Sequence, residues 1–326
     1  TFDGQLGKIY NNAQLMGKID LPTHISTSFR FIASISTFDY YKKDKLFSRN
    51  DKPSFNSKDE RFVKLMVALP FLANKRAEFS LGYGQLEDNY FQSSVIDFDK
   101  DRSDRSTYKL LGGSIGFYGS TLNTRQYATK GYLEKLIAQV FTGRERFEPG
   151  NPQEGYSPSP QERQSWLQIS YMKEAYHTMG PKFTLGWMAE ALYSSKNFSE
   201  NYTATMMQAG EFAPTPHSKL MYNEAFRANQ YVAAGIKPIY VLNDMFQFRT
   251  EFYGFTPIFP IKKNALNKAY YGKAFSRFEY MGEVSVICHL PFGAISAYVN
   301  HYSSPRREWN VGMTIGWQLF NYRFVE

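Results

Sequence analysis

Residues 309–322 alternate between two kinds of side chain. One face carries the large apolar residues Val311, Met313, Ile315, Trp317 and Leu319. The other face carries the small or polar residues Gly312, Thr314, Gly316 and Gln318. A period of two is the side-chain period of a β-strand, and about nine residues of it are what a tilted strand needs to cross a bilayer. The segment is therefore predicted to be a transmembrane strand with one face toward lipid.

The same alternation recurs along the chain. Apolar side chains share one face in five further segments: Phe29, Phe31, Ala33 and Ile35; Val63, Leu65, Val67 and Leu69; Ala77, Phe79, Leu81 and Tyr83; Phe183, Leu185, Trp187 and Ala189; and Phe246, Phe248 and Phe252. The opposite faces carry charges, among them Arg30, Lys64, Glu78 and Arg249. Because a Lys or Arg facing lipid at the bilayer midplane costs about 2–4 kcal/mol, the charged faces are predicted to line a polar lumen.

The connections between these segments alternate in length. Short links are expected at 21–27, 70–76, 177–182, 243–245 and 291–293, and long polar ones at 41–60, 92–105, 143–164, 194–230 and 256–277. Tight turns at one end and long loops at the other are typical of outer-membrane barrels. We therefore predict an all-β fold, a transmembrane antiparallel β-barrel of about 14–16 strands. The strands are expected near 1–9, 13–20, 27–40, 60–70, 76–91, 106–119, 131–142, 165–176, 182–194, 230–241, 245–256, 278–290, 293–302 and 309–322.

Composition supports a barrel in the bacterial outer membrane. Aromatic residues make up 17% of the chain, as suits a wall belted by aromatic rings. The sequence has no run of about 18 apolar residues that would form a spanning helix. Its first residues lack the basic and apolar regions of a signal peptide, although such a barrel must be exported. We therefore expect residues 1–326 to be a single barrel domain, either of a mature protein or of a fragment cut from a longer one.

The long loop 194–230 lies between the fifth and sixth predicted strands from the end. It closes on Phe226-Arg227-Ala228-Asn229-Gln230-Tyr231. In this it resembles the BamA/TamA outer-membrane assembly and secretion superfamily, whose corresponding loop carries an Arg-Gly-aromatic motif that folds into the lumen. Residues 127–131 are similar to the Pro-Thr-Lys-Gly turn of that superfamily, and 281–302 to its penultimate hairpin. Ala228 and Asn229 replace the glycine and the aromatic residue of the motif, which leaves the loop free to fold differently.

The resemblance implies a lumenal loop motif formed by Phe226, Arg227 and Asn229. It also implies that Arg227 pairs with a carboxylate on the last strands, because an enclosed charge needs a partner. Glu251 and Glu283 have the lumenal parity and are the candidate partners. The alternative is an arginine in a solvated loop.

Four stretches resemble the C-terminal barrel of Bacteroidetes patatin-like phospholipases more closely: 62–90, 119–147, 226–257 and 278–320. Those proteins place a patatin hydrolase and a small periplasmic domain before the barrel. The resemblance implies that this barrel anchors, and exports or positions, an N-terminal phospholipase, with a seam between the first and last strands that opens. A free-standing porin or lipid channel, an assembly factor for other barrels, and a barrel enzyme remain alternatives.

No catalytic residue, cofactor or metal site is predicted. Residues 112–116 spell G-x-S-x-G around Ser114, but a nucleophile elbow needs a strand–turn–helix context and here the pattern runs along a strand. The glycines are expected to relieve crowding on the inner wall. None of the five histidines has a metal-binding spacing; they are His24, His177, His217, His289 and His301.

Expected partners follow from the membrane setting and the resemblance. The net charge is +8, and the basic segments 42–45 and 306–307 are placed to touch lipopolysaccharide phosphates or simply to be solvated. N-terminal patatin and periplasmic domains and a second copy of the chain are further partners to test. Nucleic acid is not expected, because the basic residues form no stripe beyond the loops.

Overall fold

One large antiparallel sheet forms the wall of the molecule. The computed structural model of the chain describes residues 2–5, 10–21, 26–40, 56–92, 100–151, 162–291, 293–304, 309–316 and 322–325. Fourteen strands form the sheet, and each pairs with the next wall strand along the chain. They are β1 (Phe2–Gln5), β2 (Tyr10–Leu21), β3 (Thr27–Tyr40), β4 (Asn56–Leu72), β5 (Lys75–Tyr90), β6 (Asp104–Ser120), β7 (Gly131–Glu148), β8 (Glu162–Thr178), β9 (Phe183–Ser194), β12 (Gln230–Val241), β13 (Phe246–Pro257), β16 (Glu279–Leu290), β17 (Gly293–Tyr302) and β18 (Trp309–Ile315). The predicted antiparallel barrel is confirmed.

The two faces of the sheet have the predicted character. Leu65 and Leu81 are more than half exposed on the outer face, and so is Phe252. Lys64 and Glu78 are buried on the inner face, and both are under 5% exposed. An apolar outer band around a polar interior is the arrangement that lipid and lumen together require.

The elements between the wall strands are short. Helix α1 spans Tyr202–Gln208, and 3₁₀ turns span Ser218–Leu220 and Glu224–Phe226. Strand β10 (Gly210–Glu211) pairs with β11 (Arg227–Ala228), and β14 (Ile261–Lys263) pairs with β15 (Ala269–Tyr271). Within the described ranges no helix is long and apolar enough to cross a membrane.

Several wall strands are longer than the alternation predicts. Strand β4 begins at Asn56 rather than near residue 60, because its first residues pair with β5 beyond the apolar band.

The last strand is shorter than predicted. Strand β18 ends at Ile315, and Tyr322 lies inside the barrel with its hydroxyl 3.3 Å from Nη1 of Arg30. The lipid-facing positions predicted at Trp317 and Leu319 lie outside the described residues. In the described ranges the sheet order starts at β1 and ends at β18 without pairing these two.

Candidate functional site in the barrel lumen

The long loop 195–229 fills part of the lumen. Helix α1 begins after Asn201, whose side-chain oxygen accepts a hydrogen bond from the backbone N–H of Ala204 at 2.9 Å. This is a helix N-cap, which satisfies one of the free amide groups of the first turn. Residues 204–207 of the helix are buried. A short, capped and buried helix is therefore packed inside the wall.

Polar side chains join this loop to the inner faces of β5 and β6. The Asn201 amide donates to the Tyr90 hydroxyl at 2.7 Å, and the Gln208 amide donates to the Asp88 carboxylate at 2.5 Å. The Tyr108 hydroxyl lies 2.8 Å from the Ser199 hydroxyl. All three wall residues are fully buried. Buried polar groups are costly unless they are paired, so these contacts fix the position of the loop.

Lys196 brings a positive charge into the same region. Its Nζ lies 4.6 Å from the ring centroids of Tyr108 and of Trp166, and it donates to the Gln208 amide oxygen at 3.1 Å. Burial lowers the pKa of Lys196 to about 8, while the carboxylates of Glu145 and Asp88 oppose that shift. The loop therefore carries a cation that is held by aromatic rings and nearby carboxylates.

Arg227 lies inside the barrel, where it is only 3% exposed. Its guanidinium contacts the Glu211 carboxylate at 2.8 Å and lies 4.7 Å from the ring centroid of Tyr222. It also donates to the backbone oxygens of Met207 and Ala209 at 3.3 and 3.4 Å. Burial disfavours the charge, but the Glu211 carboxylate and the nearby Tyr40 and Tyr222 together favour it more, and the pKa of Arg227 is raised.

The carboxylate beside Arg227 is a different one from those expected. Glu211 and Arg227 are paired residues of the β10–β11 hairpin, so the ion pair forms within the loop itself. Neither Glu251 nor Glu283 contacts Arg227 among the described residues; each has other partners. The physical reason is that β10 and β11 are paired in a register that places Glu211 directly opposite Arg227.

The neighbouring motif residues are buried as well. Phe226 is 2% exposed, and its ring centroid lies 5.6 Å from that of Phe255 and 5.8 Å from that of Tyr302. The Asn229 side-chain amide donates to the Tyr271 hydroxyl at 3.0 Å. Phe226 thus provides the apolar anchor of the loop, and Asn229 provides a polar contact at its end.

Glu251, on the wall strand β13, helps to hold a second insertion, which comes from the turn end of the barrel. Its carboxylate accepts from Nε of Arg249 at 2.8 Å, and Arg249 in turn donates to the Ala128 carbonyl at 3.0 Å. The connection 121–130 is thereby held against the inner wall. Gly131, which follows it, has a φ of +90°, and a side chain there would meet the Thr121 carbonyl at 2.1 Å. Only glycine fits this position, which lies at the end of the Tyr-Ala-Thr-Lys-Gly turn.

Glu283 holds the long loop to the last wall strands. Its carboxylate contacts Nδ1 of His217 at 2.8 Å and accepts from the Thr215 hydroxyl at 3.0 Å. Nε2 of His217 lies 3.1 Å from the Ser296 hydroxyl on β17. We call Thr215, His217, Glu283 and Ser296 the latch. All four side chains are buried, and the His217 ring stacks on Tyr298 with centroids 3.6 Å apart.

The latch has the connectivity of a hydrolase triad, carboxylate to imidazole to hydroxyl. The burial of the latch indicates a structural role rather than a catalytic one. Ser296 is 1% exposed, and its hydroxyl also lies 2.5 Å from the Thr314 hydroxyl. A substrate carbonyl has no access to such a hydroxyl. Ser114, the serine of the G-x-S-x-G pattern, lies in the middle of β6 with its hydroxyl 2.6 Å from that of Ser80.

Sequence reasoning missed the latch. His217 carries no metal-binding spacing, and 66 residues separate it from Glu283. The parity of Glu283 on a wall strand was the available signal, since a buried carboxylate requires a partner from somewhere in the lumen. The loop contributes that partner, but through His217 and Thr215 rather than through Arg227.

Replacing Glu283 with alanine is expected to free the loop from the last strands. His217 and Thr215 would then be buried without their acceptor, at a cost of about 1–3 kcal/mol for each unsatisfied group. Hydrogen exchange of the amides around residues 215–218 should speed up accordingly. Glu134→Ala is the matched control, because Glu134 contacts two lysines on the exposed outer face and should contribute under about 1 kcal/mol. Equal protection in both variants would contradict the latch.

Residues 322–325 form a third insertion. Lys64 donates to the Arg323 carbonyl at 2.9 Å, and the backbone N–H of Phe324 donates to the Glu60 carboxylate. Phe324 is 2% exposed, and its ring lies against Gly84, where an added Cβ would stand 2.9 Å from the ring. Similar contacts at Gly82 and Gly112, at 3.1 and 3.3 Å, complete what we call the glycine cradle.

Comparison with known proteins identifies the architecture. The crystal structure of BamA from Haemophilus ducreyi lacking POTRA domains 1–3 matches 95% of this chain with a TM-score of 0.60 and 11% identity. The fold is that of an outer-membrane β-barrel. The chain spans 62% of the length of that BamA chain.

Two siderophore receptors of Acinetobacter baumannii are more distant. BauA, the ferric preacinetobactin receptor, gives a TM-score of 0.45 at 9% identity over 92% of this chain and 48% of its own. PirA gives 0.42 at 8% identity over 96% and 55%. No protein-family model and no curated protein sequence matches this chain.

Proposed function

We propose that this chain is a closed barrel of the bacterial outer membrane that anchors a passenger domain and exports or positions it. The observation that most supports this proposal is the filled lumen. Loop 195–229 contacts the inner face of β5 through Asn201 and Gln208 and that of β6 through Ser199. It contacts β16 and β17 through His217. Porins, by contrast, leave an aqueous channel through the barrel.

The passenger we propose is a patatin-like phospholipase domain on the N-terminal side. This rests on the resemblance of four stretches to the barrels of such proteins, together with a barrel fold like that of BamA. In this proposal the hydrolytic residues belong to the passenger. The strand position of Ser114 and the burial of Ser296 agree with a barrel that contributes no nucleophile of its own.

Conductance in planar bilayers separates the closed anchor from a porin. The wild-type chain should show no steady current, because the loop and both other insertions occupy the lumen. A variant with both Arg227→Ala and Glu283→Ala should show long-lived openings, because the loop then loses its contact with β16 and β17 and the ion pair between β10 and β11. A porin would conduct steadily as wild type and change little in the double variant, and that result would refute the closed barrel.

The intact mass of the native polypeptide tests the passenger. A mass roughly twice the 37.7 kDa of this chain leaves room for a hydrolase and a small periplasmic domain. A native mass equal to that of the chain would refute the passenger while leaving the closed barrel standing. Accumulation of unfolded barrels on depletion of the protein would favour an assembly factor instead.

A further inference from the structure

The outer surface carries a row of cations at the border of its apolar band. Arg61, Lys109, Arg144 and Arg163 lie on neighbouring strands β4, β6, β7 and β8, and all four are exposed. Their register is continuous, with Gln85 of β5 between Arg61 and Lys109. At a strand spacing of about 4.8 Å the row spans roughly 19 Å of the surface. We call this set the basic row.

The basic row lies next to the apolar band of the outer surface, on the side of the long loops. On β4, β5 and β6 the next outward-facing positions toward the short turns are Val63, Tyr83 and Leu111, which are 46%, 50% and 49% exposed. On β7 and β8 they are the polar Thr142 and Ser165, and the apolar positions start one step further, at Val140 and Leu167. These apolar positions begin the apolar band, and a tyrosine at its edge is typical of the interfacial aromatic girdle. The row therefore lies where lipid headgroups meet the barrel. It lies on the side of the long loops, which face outward from the cell in barrels of this kind.

The charges of the basic row have no carboxylate partner among the described residues. Lys109 stands directly opposite Arg144, and Arg144 directly opposite Arg163. Like charges placed opposite each other on neighbouring strands destabilise a sheet. Closer to the loops, by contrast, Arg105 and Arg146 both pair with Glu148. On β6 and β7 the uncompensated charge thus lies in the row beside the lipid.

A surface depression coincides with the row. Its volume is about 640 Å³. Its lining includes Tyr83 and Leu111 on the side of the apolar band, Lys109 and Arg144 in the middle, and the ion-paired Glu87, Arg105, Arg146 and Glu148 on the side of the long loops. The cations Lys109 and Arg144 next to Tyr83 and Leu111 match a lipid that has a phosphorylated headgroup and acyl chains. Basic residues near a membrane surface attract anionic headgroups by about 1 kcal/mol each.

We infer that the basic row binds the phosphorylated headgroup of an outer-leaflet lipid, such as the lipid A part of lipopolysaccharide. The basic segments 42–45 and 306–307, for which contact with lipopolysaccharide phosphates is one of two expectations, lie outside the described residues. The basic row supplies a separate site on the wall itself. This binding does not depend on whether the barrel is closed or carries a passenger.

Affinity of the detergent-solubilised full chain for lipid A tests the inference. The variant Lys109→Gln with Arg144→Gln should bind diphosphorylated lipid A roughly 30-fold more weakly, as expected for two interfacial charges. Dephosphorylated lipid A should bind wild type and variant equally weakly. Both side chains are exposed, so the variant should fold.

Lys75→Gln with Lys173→Gln is the matched control. It also removes two positive charges from the outer face of the same wall, but at the turn end, where both lysines lie within 4 Å of Glu134. This control should bind lipid A as wild type does.

Equal losses of lipid A affinity in the two variants, or no loss in the variant Lys109→Gln with Arg144→Gln, would overturn the inference. Binding of inorganic phosphate as tight as that of lipid A would overturn the lipid as the ligand. Conductance should stay at the wild-type level in both variants, so this test is independent of the lumenal loop.

Discussion

Arg227→Ala is expected to loosen the lumenal loop more than any other single change in it. The substitution leaves the Glu211 carboxylate without its cation in a region where Arg227 itself is 3% exposed. Breaking a buried ion pair by removing one partner costs about 3–5 kcal/mol. The backbone oxygens of Met207 and Ala209 lose their donor as well. Native-state hydrogen exchange of residues 202–211 should report this cost as a lower opening free energy.

Arg105→Ala provides the control for this experiment. Arg105 also pairs with a glutamate, Glu148, but on the outer face, where its side chain is 48% exposed. Exposed ion pairs contribute about 0–1 kcal/mol, so the control should leave loop exchange unchanged. If Arg227→Ala proved as mild as Arg105→Ala, the β10–β11 ion pair would not be what holds the loop.

Phe324→Ala should release residues 322–325 from the inner wall. The ring is buried in the glycine cradle, with centroids 5.9 Å from Phe62 and 5.6 Å from Phe141. Truncating a buried phenylalanine costs about 3–5 kcal/mol. Trypsin should then cleave after Arg323 much faster than in wild type, because the released segment can leave the lumen and reach the active site of the protease. Phe79→Ala, on the outer face of β5, should leave this cleavage unchanged.

A double-mutant cycle with Gly84→Ala makes the prediction specific to the cradle. In wild type the new Cβ would stand 2.9 Å from the Phe324 ring and force it to shift, so cleavage should speed up. In the Phe324→Ala background the same substitution should have little effect. A coupling of about 0.5–3 kcal/mol is expected for residues in contact. Additive effects would show that the ring does not occupy the cradle.

The wall strands could be predicted from the sequence, because the alternation that defines them involves only neighbouring residues. A strand between lipid and lumen must alternate, and positions such as Leu65 and Lys64 show their faces directly in the sequence. The prediction erred where that rule stops applying. The first residues of β4 extend beyond the apolar band, and β18 ends at Ile315 while residues 322–325 contact the inner face, so neither boundary is the expected one.

The candidate site was predictable only in part. Lumenal parity drew attention to Glu251 and Glu283, and the motif resemblance drew attention to Arg227. The pairing of Arg227 with Glu251 or Glu283 could not be predicted correctly, because the alternation along a strand shows whether a side chain faces the lumen. It does not show which loop residue contacts that side chain. Glu283 contacts His217, Glu251 contacts Arg249, and Arg227 contacts Glu211.

The sequence by itself determined a barrel with an apolar exterior and a polar interior, because the side-chain period of two fixes which residues face lipid. Only the tertiary structure decided how the interior is filled. The latch joins residues 66 apart, and the segment that donates to Glu60 lies 264 residues away along the chain. Such pairings are set by how the wall strands bring distant segments together, and no local pattern records them.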